Sequence, residues 1–375
     1  MAGIYIHIPF CKQACNYCNF YFSTSPGNQD RFVNALLQEM VLAKDYLEGE
    51  VIETVYFGGG TPTQLRVSDL LRITQKLQSV FGFHSLREFT IEANPDDLTA
   101  YKINELKSLQ SFGLNRLSIG VQSFFDEDLR YMNRAHNAAE ALAAVKRAQD
   151  AGFQNITIDL IYGTPTMDDE RWIQNLETAF SLEVQHLSSY ALTVEPKTAL
   201  ENKIKKGVRL PVNEQQSARQ FQLLMNETET NGFEQYEISN FARDGQYAIH
   251  NTSYWMGKKY LGLGPSAHSY NRESRRWNVA NNINYISAIE KGELNFEEEK
   301  LTEHQHINEQ IMTGLRTKWG VYLGAFSPAH ADTLRVTLLT IDSRHYLLKN
   351  DLLTLTHEGK FFADAIAAQL FLEEE

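Results

Sequence analysis

Cysteine is scarce in this chain of 375 residues, where only three occur. All three, Cys11, Cys15 and Cys18, lie in one short segment near the N-terminus, and none is left elsewhere. Any disulfide would have to join two cysteines of this group, which excludes the disulfide-rich secreted proteins. The sequence therefore predicts a reducing compartment, the cytoplasm.

Long apolar runs and an excess of positive charge are also missing. No stretch of about 18 apolar residues occurs, and the N-terminus enters a strand pattern at once, so we expect neither a transmembrane span nor a signal peptide. The net charge of -12 and the pI near 5.5 argue against nucleic-acid binding, because affinity for phosphate backbones depends on clustered Lys and Arg. A globular protein with no nucleic-acid partner is expected.

The three cysteines are separated by three and then two residues. Thiolates at this spacing can surround one small soft centre from a single loop, and sulfur ligands select zinc, Cu(I) or an iron–sulfur cluster. Structural zinc normally takes four ligands, and His7 lies upstream in an apolar strand-like run, poorly placed to be the fourth. A four-iron cluster on three cysteines leaves one iron open to a small-molecule ligand. Structural zinc and three unrelated core cysteines are the alternatives at this point.

Short β-branched or aromatic segments alternate with segments of helical period, which is the pattern of a parallel sheet built from βα units. The predicted strands are residues 4–8, 54–57, 88–93, 116–120, 155–161 and 186–192. This pattern predicts an α/β fold, a partly open barrel of six βα units. Ligands of such barrels bind where the βα loops meet, at the carboxyl ends of the strands.

Polar residues follow one predicted strand after another at that end. The cysteine loop follows the first strand, and three glycines, residues 58–60, follow the second, where they let the backbone approach a ligand closely. Glu92 and Asp159 stand among apolar neighbours in the third and fifth strands, where an unpaired charge is costly. Arg134 follows the fourth strand, and its planar guanidinium suits a carboxylate. We expect these residues to face one polar ligand.

The segment C-x-x-x-C-x-x-C, with Tyr17 before its last cysteine, resembles the signature of radical S-adenosylmethionine (SAM) enzymes. The segments YIHIPFC, GGGTPT, IEANP, GVQSF and DLIYGTP resemble the oxygen-independent coproporphyrinogen III dehydrogenase family. Within it, HNTSYW at 250–255 is similar to the H-N-x-x-Y-W element of the HemW-type haem chaperones. The resemblance covers nearly the whole chain. It implies a 4Fe-4S cluster on Cys11, Cys15 and Cys18, with SAM on the open iron.

The resemblance also implies which residues contact SAM and haem. SAM is expected against Tyr5, Tyr17, Gly59, Gly60, Thr61, Glu92, Gln122, Arg134, Asp159 and Ala191. His250 is implied as an axial ligand of haem iron, with His268 as the other candidate, while Tyr254 and Trp255 can lie against the macrocycle. From the residues alone, a packed corner is the other interpretation of this aromatic segment.

The alternation of strand and helix patterns ends at about residue 200, and a charged helical segment follows. We expect residues 1–235 to form the radical SAM core barrel and residues 236–375 to form a smaller C-terminal domain that carries the HNxxYW element. The family implies that this second domain is α+β and winged-helix-like.

Three functions from different classes compete: a haem chaperone, a coproporphyrinogen III dehydrogenase and a ferredoxin-like electron carrier. An electron carrier gives no reason for the polar residues at successive strand ends. The dehydrogenases have a fourth cysteine two residues after the third and a longer N-terminal arm, whereas Phe20 stands at that position here and Tyr5 is close to the N-terminus. We therefore interpret the chain as a haem chaperone without dehydrogenase activity that delivers haem to haem-requiring respiratory proteins. Membrane contact is expected only through such partners, and a homodimer is also anticipated.

Overall fold

The computed structural model describes residues 1–25 and 27–373. Its first six strands are parallel neighbours in chain order: β1 (Ala2–Ile8), β2 (Ile52–Gly59), β3 (Glu88–Ala93), β4 (Arg116–Gln122), β5 (Asn155–Tyr162) and β6 (His186–Ala191). Apolar side chains fill these strands, and Ile4, Ile6 and Ile8 of β1 are completely buried. The predicted α/β fold with six parallel βα strands is confirmed.

Helices connect the strands, and most of them bury their apolar faces in the same core. They are α1 (Gln29–Leu42), α2 (Val67–Phe81), α3 (Ala100–Leu106), α4 (Asp126–Met132), α5 (Ala138–Asp150), α6 (Asp169–Ser181), α7 (Ala199–Lys205) and α8 (Glu214–Thr230). In α2 the buried residues Leu70, Ile73 and Leu77 recur at the spacing of one helical face. No helix within residues 1–25 and 27–373 has both the length and the apolar character of a membrane span.

Beyond β6, the described part of the chain extends this sheet to 12 strands. The added strands are β7 (Glu234–Glu237), β8 (Asn240–Ala242), β9 (Tyr260–Leu263), β10 (His268–Tyr270), β11 (Ser274–Asn278) and β12 (Phe296–Lys300). At one edge β8 pairs antiparallel with β6, and at the other edge β9 pairs parallel with β1. The domain division expected at residue 235 therefore falls inside one continuous sheet.

A second hydrophobic core contains residues from Ile307 to Leu370. Two helices precede it, α9 (Ile249–Trp255) and α10 (Asn282–Glu290), and α9 packs on β1 and β2 of the barrel. The elements of the second core are α11 (Glu303–Leu315), β13 (Val321–Tyr322), α12 (Pro328–Leu338), β14 (Tyr346–Lys349), β15 (Leu352–Leu355) and α13 (Ala363–Leu370). The HNxxYW element thus lies in α9, on the barrel, and outside this smaller α+β core.

Glu39 in α1 joins the added strands to the barrel. Its buried carboxylate accepts hydrogen bonds from the Tyr285 hydroxyl at 2.6 Å, the Asn278 side-chain amide at 2.6 Å and the Gly264 N–H at 2.8 Å. Gly264 has a φ of 96°, and a Cβ atom there would lie 2.4 Å from the carbonyl oxygen of His7. Burial raises the pKa of Glu39, while the three donors stabilise its charged form. The turn after β9 is thereby fixed beside the carboxyl end of β1.

Candidate cofactor site

A cavity of about 450 Å³ opens at the carboxyl ends of the six parallel strands. Its wall includes the three cysteines and nine of the residues expected at SAM: Tyr17, Gly59, Gly60, Thr61, Glu92, Gln122, Arg134, Asp159 and Ala191. These residues come from the loops or ends of all six strands. The structure therefore brings the predicted cluster ligands and most of the predicted SAM contacts into one place.

The cysteine loop forms one side of this cavity. Cys11, Cys15 and Cys18 are free and partly exposed. Buried Asn16 anchors the loop, because its side-chain amide donates to the Tyr131 carbonyl at 2.9 Å. Burial raises the pKa of Cys11 to about 12 and also raises the pKa of Cys18. Without a metal centre these thiols would stay protonated, whereas a metal removes the proton from a thiol that coordinates it.

The donor arrangement distinguishes a cluster from a single metal ion. Among the described residues, no group of three or more His, Cys, Asp or Glu side chains is arranged to hold one metal ion. The three thiols nevertheless border one cavity. Three soft sulfur ligands around a space larger than one ion fit an iron–sulfur cluster better than structural zinc, which normally takes four close ligands.

The glycines after β2 bring the backbone against the cysteine loop. A Cβ atom on Gly60 would lie 2.8 Å from the carbonyl oxygen of Phe10 and 3.0 Å from Sγ of Cys11. Gly59 has a φ of 106°, and a Cβ atom there would lie 2.6 Å from the His7 ring. Thr61 donates its hydroxyl to Cys11 Sγ at 3.8 Å. Only glycine fits at 59 and 60, and both residues line the cavity.

Two carboxylates lie in the cavity wall, and no basic side chain among the described residues is bonded to either. Glu92 accepts hydrogen bonds from the Tyr56 hydroxyl at 2.6 Å and from the Gly59 N–H at 3.2 Å. Burial raises the pKa of Glu92 to about 7. The Tyr56 hydrogen bond lowers this pKa, whereas the negative charge of nearby Asp159 raises it further. Burial likewise raises the pKa of Asp159 to about 6. Hydroxyl or ammonium donors of a ligand would stabilise both carboxylates in their charged form.

Arg134 connects the cysteine loop with the ends of β3 and β4. Its Nη1 donates to Cys15 Sγ at 3.3 Å, and its Nη2 donates to Asn94 Oδ1 at 2.6 Å and to the Gly120 carbonyl at 2.8 Å. Its buried Nε has no partner within the described part of the chain. Tyr17 and Cys15 raise the pKa of Arg134 although burial opposes this. The cavity therefore contains a fixed cation beside the thiols.

Gln122 and Ala191 complete the far side of the cavity, and Tyr5 lies apart from it. Gln122 is buried with a φ of 68°, a left-handed conformation that is uncommon outside glycine and often occurs at functional sites. Tyr5 does not border the cavity; its hydroxyl is 3.1 Å from Nδ1 of His7. The proposed contact between Tyr5 and SAM stays a prediction.

Asn94 and Tyr190 were not expected at this site. Asn94 donates its amide to the Thr61 hydroxyl at 2.9 Å and accepts from Arg134, which links two loops. Tyr190 lines the cavity with 42% of its surface exposed. Asn94 follows Glu92 in the IEANP segment, and its position just after the third strand was the available signal.

His250 lies away from this cavity, in the barrel interior next to the early residues of β1 and β2. Its Nδ1 is 2.8 Å from the Thr54 hydroxyl, and its Nε2 is 2.7 Å from the Tyr254 hydroxyl. The ring stacks on Tyr56 at 5.0 Å, and burial lowers the His250 pKa to about 3. Both nitrogens are engaged, as in a packed corner. Binding of haem iron by His250 would require one of these hydrogen bonds to break.

His268, the other candidate haem ligand, lies on β10 and is exposed. Its ring stacks on Trp277 at 6.1 Å. Burial of part of the ring and the charge of Arg275 lower its pKa. His268 borders neither the cavity at the strand ends nor a second cavity beside α9.

The comparisons with known proteins agree with this geometry. The Radical SAM superfamily model matches residues 5–179. "Heme chaperone HemW" of Bacillus subtilis is 38% identical over 376 residues, covering 98% of each chain, and that of Lactococcus lactis is 35% identical, covering 86% of this chain and 83% of the relative. A solved structure, the coproporphyrinogen III oxidase HemN of Escherichia coli, superposes with a TM-score of 0.85 over 99% of this chain and 90% of that one. At 23% identity it establishes the fold.

Proposed function

This chain belongs to the HemW heme chaperone family within the radical SAM superfamily, and from that premise we propose a haem chaperone with two further cofactors. In this proposal the protein binds haem, a 4Fe-4S cluster and SAM, and it delivers haem to haem-requiring respiratory proteins. The observation that carries the proposal is the single cavity in which three free cysteines and the fixed cation of Arg134 meet two buried carboxylates.

The cluster would be held by Cys11, Cys15 and Cys18. When bound, it supplies one-electron reducing chemistry and an iron position open to SAM. Arg134 donates a hydrogen bond to the Cys15 sulfur and so fixes the position of this ligand. Because ligating thiolates must stay reduced, a reducing compartment such as the cytoplasm is part of the proposal.

SAM would lie across the cavity from the glycine loop to the end of β6. In this proposal the Glu92 carboxylate accepts hydrogen bonds from the ribose hydroxyls, and the bonds from Tyr56 and Gly59, which fix its orientation, support this role. Asp159 adds a second acceptor on β5, and Ala191 leaves room beside it. Gln122 and Arg134 close the opposite wall as donors. Enclosure by apolar neighbours strengthens each of these interactions.

Haem binding and delivery rest on the relatives, whose name is "Heme chaperone HemW". Contact with a membrane through the recipient protein and a homodimer are further parts of this proposal. The alternative is coproporphyrinogen III dehydrogenation, for which the same cavity would hold SAM. Phe20 stands where that enzyme family has its fourth cysteine, and its ring is 69% exposed at the cavity. This difference favours the chaperone.

A single preparation tests both functions. The full-length protein is reconstituted with iron and sulfide without oxygen and then titrated with ferric haem, while a second portion receives coproporphyrinogen III, SAM and a low-potential reductant. We expect about one haem per chain and no protoporphyrinogen. Turnover of coproporphyrinogen would establish the dehydrogenase, and protein that binds neither haem nor a cluster would contradict the chaperone assignment.

A further inference from the structure

A second cavity, of about 530 Å³, lies beside the C-terminal end of α9. One wall comes from the end of α9 and from β9 and the β10–β11 hairpin, and the other comes from α11 and the start of the second core. Its volume is in the range of small-molecule sites, which are commonly found where two structural units meet. The site described above makes no use of it.

Aromatic side chains line the barrel side of this second cavity. The Tyr254 ring packs edge-on against Tyr260 at 4.5 Å, and Tyr260 lies 6.1 Å from Tyr270. Two large apolar side chains remain open at its wall, with Met256 51% and Tyr322 56% exposed. Flat aromatic faces and exposed apolar groups around one space favour a large planar apolar ligand.

Two arginines also line the second cavity. Arg275 on β11 forms an ion pair with Glu309 of α11, so the Glu309 carboxylate already uses part of the hydrogen-bonding capacity of its guanidinium. Arg272 is exposed, and its Nε donates to the Gly257 carbonyl at 3.2 Å. The two guanidinium groups outnumber the single carboxylate, Glu309, in the lining. A ligand with carboxylates would be recognised here by bidentate hydrogen bonds.

His306 adds an imidazole to the lining of the second cavity. It lines the cavity together with Gln310 and Thr313, which follow at four and seven positions and so lie on the same face of α11. Its imidazole makes no hydrogen bond within residues 1–25 and 27–373, whereas both ring nitrogens of His250 are engaged. An imidazole without a partner at the wall of a cavity can act as a ligand for iron.

Building on the proposed function, we propose that haem binds in this second cavity, with His306 as an axial ligand of the iron and Arg272 and Arg275 on the propionate carboxylates. The porphyrin lies against Tyr254 and Trp255, so the last two residues of the HNxxYW element contact the macrocycle while His250 holds the helix in place. Haem carboxylates compete with Glu309 for Arg275. The haem site is then separate from the cluster cavity.

The test titrates full-length protein with ferric haem and, in parallel, with iron-free protoporphyrin IX. His306→Ala should shift the Soret band and weaken haem binding about tenfold or more, yet leave the affinity for the iron-free porphyrin unchanged, because only iron loses a ligand. Arg275→Gln should weaken both ligands about tenfold, the usual effect of losing a charge-assisted hydrogen bond. Thr313→Trp, which fills the cavity, should abolish both.

The matched controls are His304→Ala and Arg344→Gln. His304 lies on the same helix but is bonded through Nδ1 to the Glu373 carbonyl, and Arg344 pairs with Asp342 in the exposed turn before β14. Neither lines the cavity, and both should bind haem as the wild type does. If the wild type binds haem and all three cavity variants match it, the site assignment is wrong while the chaperone proposal stands. Wild-type protein that binds no haem would contradict both the site assignment and the chaperone proposal.

Discussion

Arg134 and Cys15 are joined by a hydrogen bond of 3.3 Å from the guanidinium to the thiol sulfur. The same guanidinium bonds to Asn94 and to the Gly120 carbonyl, and this connection ties the cysteine loop to the ends of two strands. Lysine carries the charge but lacks the planar fork, so it cannot make the three bonds together. We expect Arg134→Lys to bind SAM about tenfold more weakly. Isothermal titration of reconstituted protein checks this, with Arg130→Lys on neighbouring α4 as the control.

Removal of any one cysteine should prevent cluster assembly. Reconstituted wild-type protein is expected to hold close to four irons per chain, whereas Cys11→Ala, Cys15→Ala and Cys18→Ala should each lose the visible absorbance, because three thiolates are the minimum set. Asn19→Ala, in the same loop, is the control. Iron analysis and absorbance spectra measure the outcome. Stoichiometric zinc in protein purified without oxygen, together with no uptake of iron, would contradict this assignment.

The two carboxylates of the cavity should each contribute to SAM affinity. We expect Glu92→Gln and Asp159→Asn to weaken SAM binding by about 2 to 3 kcal/mol, since a charged hydrogen-bond acceptor is lost while its donors stay buried. Glu88→Gln provides the control, because Glu88 lies at the other end of β3 and accepts from the first N–H groups of α9. Unchanged SAM affinity in both cavity variants would mean that SAM does not bind against these carboxylates.

The sequence predicted the parts of this structure that local patterns encode. The alternation in β1 and the runs of β3 and β5 marked the strands, and the strand ends marked Glu92 and Asp159, which the structure places in one cavity. The roles of these residues came from resemblance to a family. Asn94 lies within the IEANP segment, but its bonds to Thr61 and Arg134 depend on three loops meeting.

Contacts between distant parts of the chain could not be predicted in this way. β9 pairs with β1, and Glu39 binds Asn278, across more than half of the sequence. The sequence patterns of β9 and of the segment around Asn278 do not differ from those of an independent second domain, so the continuation of the sheet past residue 235 could not be predicted. His250 is a similar case, because its partner Thr54 is remote in sequence and only the fold shows that both ring nitrogens are engaged.

The raised pKa of Glu92 should make stability depend on pH. Burial raises this pKa from 4.5 to about 7, so between these values the folded chain holds a proton that the unfolded chain has released. Stability contributed by the protonated group is therefore lost as pH rises through this window. Glu92→Gln removes the group.

Urea unfolding of cofactor-free protein measures this effect. The free energy of unfolding of Glu92→Gln, relative to wild type, should increase by about 2 to 3 kcal/mol from about pH 5 to about pH 8. Glu358→Gln, at an exposed position between β15 and α13, should show no such trend. A difference that is constant with pH would mean that Glu92 ionises normally in the folded chain.

His250→Ala should destabilise the protein without affecting the cluster. The substitution removes a buried ring stacked on Tyr56 and leaves the Thr54 and Tyr254 hydroxyls without their partner. An unpaired buried hydroxyl costs about 1 to 3 kcal/mol, and the void adds to this, so we expect a loss of about 3 to 5 kcal/mol in the free energy of unfolding.

Two measurements separate a packing role of His250 from a haem-ligand role. His357→Ala, at an exposed position, should change the free energy of unfolding by less than about 0.5 kcal/mol and serves as the control. If His250 fixes α9, the haem-free variant is the less stable one and its Soret band, once haem is bound, keeps the wild-type position. If His250 is instead the iron ligand, the band shifts and the haem-free stability changes little, because a ligand contributes to stability only when its metal is present.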